Sequence, residues 1–145
     1  MQAHEGPAGT LGELRRRILE EAKAPGGKAL EAAETGRAVL LAGTEPQLWV
    51  VLGEEADYIV VPLTYCSCPH FTIRVIGERD TKPCYHIVAV EAVRRGVAGR
   101  LVAVEPSRSE VADILAETLL TGRSRTLRRL LHGDADPRRY RAGMR

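Results

Sequence analysis

The chain has 145 residues, 44% of them hydrophobic and 28% charged. That length and balance predict one soluble globular domain with a core of its own, and argue against wholesale disorder. No apolar run reaches the ~18 residues of a membrane span, the opening MQAHEGPAGT lacks the basic and apolar stretches of a secretory leader, and a net charge of only +2 excludes a uniformly basic nucleic-acid binder.

The average conceals a split. Residues 123–145 hold eight arginines against two aspartates, so the remainder leans acidic. The chain has eighteen Arg, three Lys, no Asn and two Gln (Gln2 and Gln47). Few thermolabile amides fit a thermophile source. A GC-rich genome would give the same Arg bias.

In chain order, residues 1–9 read as frayed, with Gly6, Pro7 and Gly9. Thr10 and Glu13 form a capping box for an amphipathic helix over 11–23. Pro25-Gly26-Gly27 breaks it, and Leu30 and Ala33 mark a second short helix stopped by Gly36. Neither glycine-rich stretch has phosphate-loop spacing. The period then changes. Ala38–Ala42, Gln47–Leu52 and Tyr58–Tyr65 predict three antiparallel strands joined by short turns. Phe71–Ile76 is a fourth strand candidate. A helix is expected from about Pro83 to Arg95, ended by Gly96, and Leu101–Val104 suggests a short extra strand. Ser107 and Glu110 form a capping box for a helix ending at Gly122. A last helix, about 124–132, carries Leu127, Leu130 and Leu131. The expected class is α+β, with an antiparallel sheet of three to four strands flanked by N- and C-terminal helices. One domain is expected over 1–133, followed by a disordered basic tail over 134–145.

The chemistry concentrates in Cys66-Ser67-Cys68-Pro69-His70-Phe71 and Pro83-Cys84-Tyr85-His86. All three cysteines of the chain lie here. An odd cysteine count is a poor disulfide framework and points to the reducing cytoplasm. Three thiolates and one imidazole are instead a complete tetrahedral set for structural Zn2+. Cys66 and Cys68 share a strand face but stand about 6.6 Å apart along a flat strand. Two sulfurs on one zinc lie within roughly 4 Å, so the chain must bend, and Pro69 fits a bend. Cys84 and His86 would diverge by about 200° in mid-helix. They converge if Cys84 sits at the helix start, where the dipole also favours a thiolate. His70, beside Pro69, is read as a turn or supporting residue rather than a ligand. His4 and His132 are read as solvated. Trp49, Phe71, Ala89, Val90 and Val93 are read first as packing residues.

Cys-x-Cys, fifteen residues, then Cys-x-His resembles the SWIM zinc finger. The resemblance covers about 47–95, including Trp49, Tyr58-Ile59-Val60, Pro69 and Phe71, and it implies a ββα-type finger. Cys84-x-His86-x-x-Ala89 is similar to the form found in SWIM proteins of the Shu complex, recombination accessory factors that pair with recombinase paralogues. Tyr85 departs from the basic residue many SWIM fingers carry between Cys and His.

A closed Cys3His set leaves no open position for substrate, and no deaminase, zincin or hydrolase motif is present, so no enzyme activity is expected. The resemblance implies a role in DNA recombination or repair through a protein partner, with possible DNA contact, no membrane and no small-molecule substrate. Arg123, Arg125, Arg128, Arg129, Arg138, Arg139 and Arg141 are the candidate phosphate or partner contacts. Leu127, Leu130 and Leu131 are a candidate docking stripe. The alternatives are a regulatory protein-interaction module without a DNA role, and a thiol redox protein.

Overall fold

The computed structural model describes residues 5–133 and 140–142, with side chains from Leu11 to Gly133. Helices α1 (Glu5–Ala22) and α2 (Gly27–Glu34) precede strands β1 (Ala38–Leu41), β2 (Leu48–Val51), β3 (Tyr58–Val61) and β4 (Tyr65–Cys66). A π-helical segment (His70–Gly77) leads to α3 (Tyr85–Arg94), β5 (Val102–Val104), α4 (Arg108–Thr121), α5 (Arg125–Arg128), a π-helical turn (Arg129–Gly133) and β6 (Tyr140–Ala142). The strands form one sheet in the order β4-β3-β2-β1-β5-β6.

The expected antiparallel hairpins are present, with Leu40 opposite Trp49 and Val50 opposite Ile59. The sheet is wider than three to four strands because β5 joins β1 in parallel and β6 joins β5. Both faces of β1 and β2 are covered, which explains their unbroken apolar runs AVLL and LWVV. Ala38, Trp49, Val51 and Val60 face a core shared with α1, α2 and α3. Val39, Leu41, Val50 and Ile59 face the opposite core with Ile114, Leu127 and Leu130.

Helix α3 positions the site. Every residue from His86 to Val93 is buried, so this helix lies inside the molecule rather than on it. It packs against α1, α2 and the sheet. Ala29, Ala32 and Ala33 on α2 are buried without bulk, which lets α2 approach α3 closely. Burying Ile87, Val88 and Val90 stabilises the fold by about 1.5–3 kcal/mol each. Glu91, 1% exposed, is matched by Arg94 and Arg95, both at 2.8 Å.

Four expectations change. Helix α1 begins at Glu5, so Thr10 lies inside it rather than at its start. Pro7 suits a first turn, where no backbone donor is needed. The strand expected over Tyr58–Tyr65 is a hairpin, because Pro62 lacks a donor and Leu63 takes φ 62, turning the chain into β4. The strand expected over Phe71–Ile76 is π-helical. Pro69 has already entered helical geometry, and Glu78 N–H reaches back five residues to Ile73 O. Phe71 and Val75, four apart, are buried while Ile73 and Ile76 are exposed. Finally, within the segment expected as a tail, Tyr140–Ala142 form β6, while 134–139 and 143–145 lie outside the described residues. The Ser107–Glu110 capping box and the left-handed stop at Gly122 (φ 87) are both present.

Candidate metal centre

Ser67 bends the chain between the first two cysteines. Its N–H donates to Ile59 O at 3.0 Å, and its hydroxyl accepts from Ile59 N–H at 2.9 Å. Strand β4 therefore ends at Cys66, and Cys68 curls over towards α3 instead of continuing along a flat strand. Pro69 then starts the π-helical segment, whose Phe71 N–H donates to Cys68 Sγ at 3.4 Å.

Cys84 is the N-cap of α3, with extended backbone (φ −73, ψ 159), and His86 lies in the first turn. That placement brings the Cys-x-His pair together, as the helical geometry requires. One donor atom from each of Cys66, Cys68, Cys84 and His86 lies within 4.8 Å of the others. The four side chains are 0%, 1%, 4% and 8% exposed.

The electrostatics match a cation site. Hydrogen bonds from Cys66 and Cys84 hold the Cys68 thiol far below its ordinary range, against the effect of burial. Burial, with the bond to Cys68, pushes Cys66 far up. For Cys84 a bond with Cys66 acts downward, but the bond with Cys68 and burial outweigh it, and the thiol is pushed up to about 12. Burial and the mutual charges of the cluster oppose ionising all three thiols together; a dication at its centre would let all three sulfurs ionise. His86 Nδ1 is buried without a hydrogen-bond partner, an unmet polar demand that an ion in the cluster accounts for. The residues present therefore fit zinc, which would tie the end of β4 to the start of α3.

Two tyrosines hold the imidazole. Tyr85 lies 4.0 Å and Tyr58 4.7 Å from the His86 ring, centroid to centroid. Burial raises both phenols above their usual range. Lys28 Nζ sits 5.8 Å over the Tyr85 ring. Tyr85 was visible in the sequence only as the residue between two ligands, and nothing there marked Tyr58 as its partner. His70 stands apart from the ligand set, half-buried, with Nε2 3.0 Å from Lys82 O.

Among the described residues, three arginines of the arm are tied to the body. Arg128 binds both oxygens of buried Asp57 at 2.6 and 2.8 Å. Arg123 donates to Glu54 O at 2.7 Å and Gly53 O at 3.4 Å, and Arg129 lies 3.9 Å from Glu110. Arg125 is exposed. Arg141 pairs through its backbone in β6, opposite Ala103. Arg138, Arg139 and His4 lie outside the described residues. Leu127 and Leu130 are 0% and 1% exposed, so the leucine stripe is core rather than a docking face.

Fold and site together define a Cys3His zinc-binding cluster in an α+β protein. Comparison with protein-family models matches residues 49–94 to the SWIM zinc finger. The matched segment runs from β2 through all four ligands to the end of α3. Comparisons with curated proteins and with solved structures give no match. Among the described residues, no helix is long and apolar enough to cross a membrane.

Proposed function

We propose that this chain is a non-enzymatic accessory factor in homologous recombination or DNA repair, in which zinc fixes the fold and a recombinase paralogue is the principal partner. The observation that carries the non-catalytic reading is the closure of the site. A catalytic zinc keeps a coordination position for water or substrate. Here four donors converge from buried side chains, enough to fill a tetrahedral ion's coordination without a water. The recombination reading rests on the Cys84-x-His86-x-x-Ala89 pattern. Ala89 is fully buried on α3, the helix that packs against α1 and α2. Zinc thiolates suit a reducing compartment, the cytoplasm.

DNA contact is the subsidiary part of the reading. The Arg125 side chain is exposed and, beyond its charge interaction with Glu117, is held by no hydrogen bond or salt bridge among the described residues, so it carries the phosphate-contact expectation there.

The test is co-purification of the zinc-loaded chain with a recombinase paralogue from the same source, with DNA binding measured across salt. Retention of the paralogue by wild type and its loss in Cys84→Ala supports the proposal. No retention by wild type overturns it. Arg125→Ala should reduce the slope of log affinity against log salt by about one. An unchanged slope places the DNA surface elsewhere, and no DNA binding leaves a protein-interaction module. Reactive thiols in the zinc-loaded protein would favour the redox alternative.

A further inference from the structure

Among the described residues, two apolar patches lie without a partner on opposite sides of the sheet. The first is a groove of about 240 Å³ between α1 and the π-helical segment, lined by Leu11, Leu14, Tyr65, Phe71, Val75 and Ile76 and bordered by Arg79. Leu11 is 43% and Ile76 56% exposed. No acidic side chain lines this groove, and Arg79 makes no hydrogen bond or salt bridge to any described residue.

The second patch is the outer face of α4. Asp113, Ala116 and Leu120 follow one another at three- and four-residue steps, so they share one face of the helix. Leu119 stands beside them. Leu119 is 57% and Leu120 83% exposed. The exposed Asp113 carboxylate makes no hydrogen bond or salt bridge to any described residue.

A single exposed leucine on a surface needs no explanation. Two adjacent leucines, with an exposed acid two turns back along the same helix, are matched in polarity and in sign by an apolar groove bordered by an arginine. We propose that the α4 face of one copy docks into the α1 groove of a second copy, with Leu119 and Leu120 entering the groove and Asp113 meeting Arg79. Helix α1 packs on one face of the sheet, with Leu14 and Ile18 in its core, while α4 contributes Ile114 to the core on the other face. A copy therefore cannot fill its own groove, and each contact leaves one groove and one leucine pair open. The contact is heterologous and extends head to tail, into rings or short chains, rather than closing as a two-fold dimer. It rests on a few side chains rather than the roughly 1,600 Å² of a standard interface, so association is weak and appears at high concentration.

The experiment is sedimentation equilibrium on the full zinc-loaded chain over a wide concentration range. Wild type should exceed the mass of one chain at the upper end. Leu120→Glu and Ile76→Glu should each weaken association by about tenfold or more. Both residues are exposed, so zinc content and thermal midpoint should stay at wild-type values. Mixing the two variants should give a species of two chains and nothing larger, because one variant keeps the groove and the other keeps the leucines. If either variant misfolds, Arg79→Glu and Asp113→Lys replace them, each weakening association alone and recovering it when mixed. A wild type that stays monomeric throughout overturns the proposal. So does an Ile76→Glu variant that associates like wild type while Leu120→Glu does not, since that marks a two-fold α4 contact.

Discussion

Asp57 holds Arg128 through both carboxylate oxygens, at 2.6 and 2.8 Å, across 71 residues of sequence. Asp57 is fully buried and also accepts from Ser124 N–H at 2.8 Å. The pair fastens the turn before β3 to the end of α5, and with it Leu127 and Leu130 to the sheet. The basic C-terminal region thus begins as part of the body rather than as a separate arm.

Removing one partner leaves a buried charge unmatched. Arg128→Met should cost about 3 kcal/mol in chemical denaturation. Burial acts to raise the Asp57 carboxyl, but the bonds from Arg128, Ser124 and Gly53 reverse this and hold it below the usual carboxylate range. A depressed folded pKa stabilises fully above the unfolded value of ~3.9, and the contribution is lost as pH falls through the folded pKa. Wild type should therefore lose stability more steeply below about pH 4 than Asp57→Asn. Equal slopes would show that the pair does not set the acid limb. Glu117 is also depressed, but it is present in both proteins and cancels in the comparison.

Tyr85 and Tyr58 fix the ring of a ligand, so their loss should be read in the metal rather than in the core. Tyr85→Ala should weaken zinc affinity by about tenfold, measured by chelator competition, as when groups that orient a metal-binding histidine are removed. Tyr85→Phe should keep near-normal affinity, because the contact is made by the ring. Equal loss in both variants would shift the role to the phenol oxygen.

Gly99 takes φ +70, and a Cβ there would run into the Ala33 carbonyl at the end of α2. Gly99→Ala should destabilise by about 1–3 kcal/mol. Gly12→Ala is the control. It lies inside α1 with nothing near its Cβ position, and should stabilise by about 0.5–1 kcal/mol. Similar effects of the two changes on the thermal midpoint would contradict this account of the loop.

The legible parts of the sequence were those governed by local chemistry. The Ser107–Glu110 box and Gly122 bound α4 as expected, because caps act within one turn. The metal ligands were legible because ligand type and spacing survive any packing. Phe71–Ile76 misled because Phe71, Ile73 and Val75 alternate like a strand, while Phe71 and Val75 also fit one helical face. The Cys68–Pro69 bend decides between these, and that bend depends on Ser67 reaching Ile59 across the hairpin. Leu127 and Leu130 were read as a surface stripe because the sheet face that buries them is formed far away, by Val50 and Ile59. The tyrosine contacts on His86 and the Asp57–Arg128 pair are tertiary, and no local pattern announces them.

The central claim is that Cys66, Cys68, Cys84 and His86 hold one zinc ion that ties β4 to α3. Such a site contributes folding free energy on the order of 10 kcal/mol in favourable cases. The direct measurement is elemental metal analysis of the chain purified under reducing conditions, paired with its thermal midpoint. The account predicts one zinc per chain in wild type, and loss of zinc with a large fall in midpoint in Cys84→Ala. A metal-free wild type with the same midpoint as Cys84→Ala would contradict it.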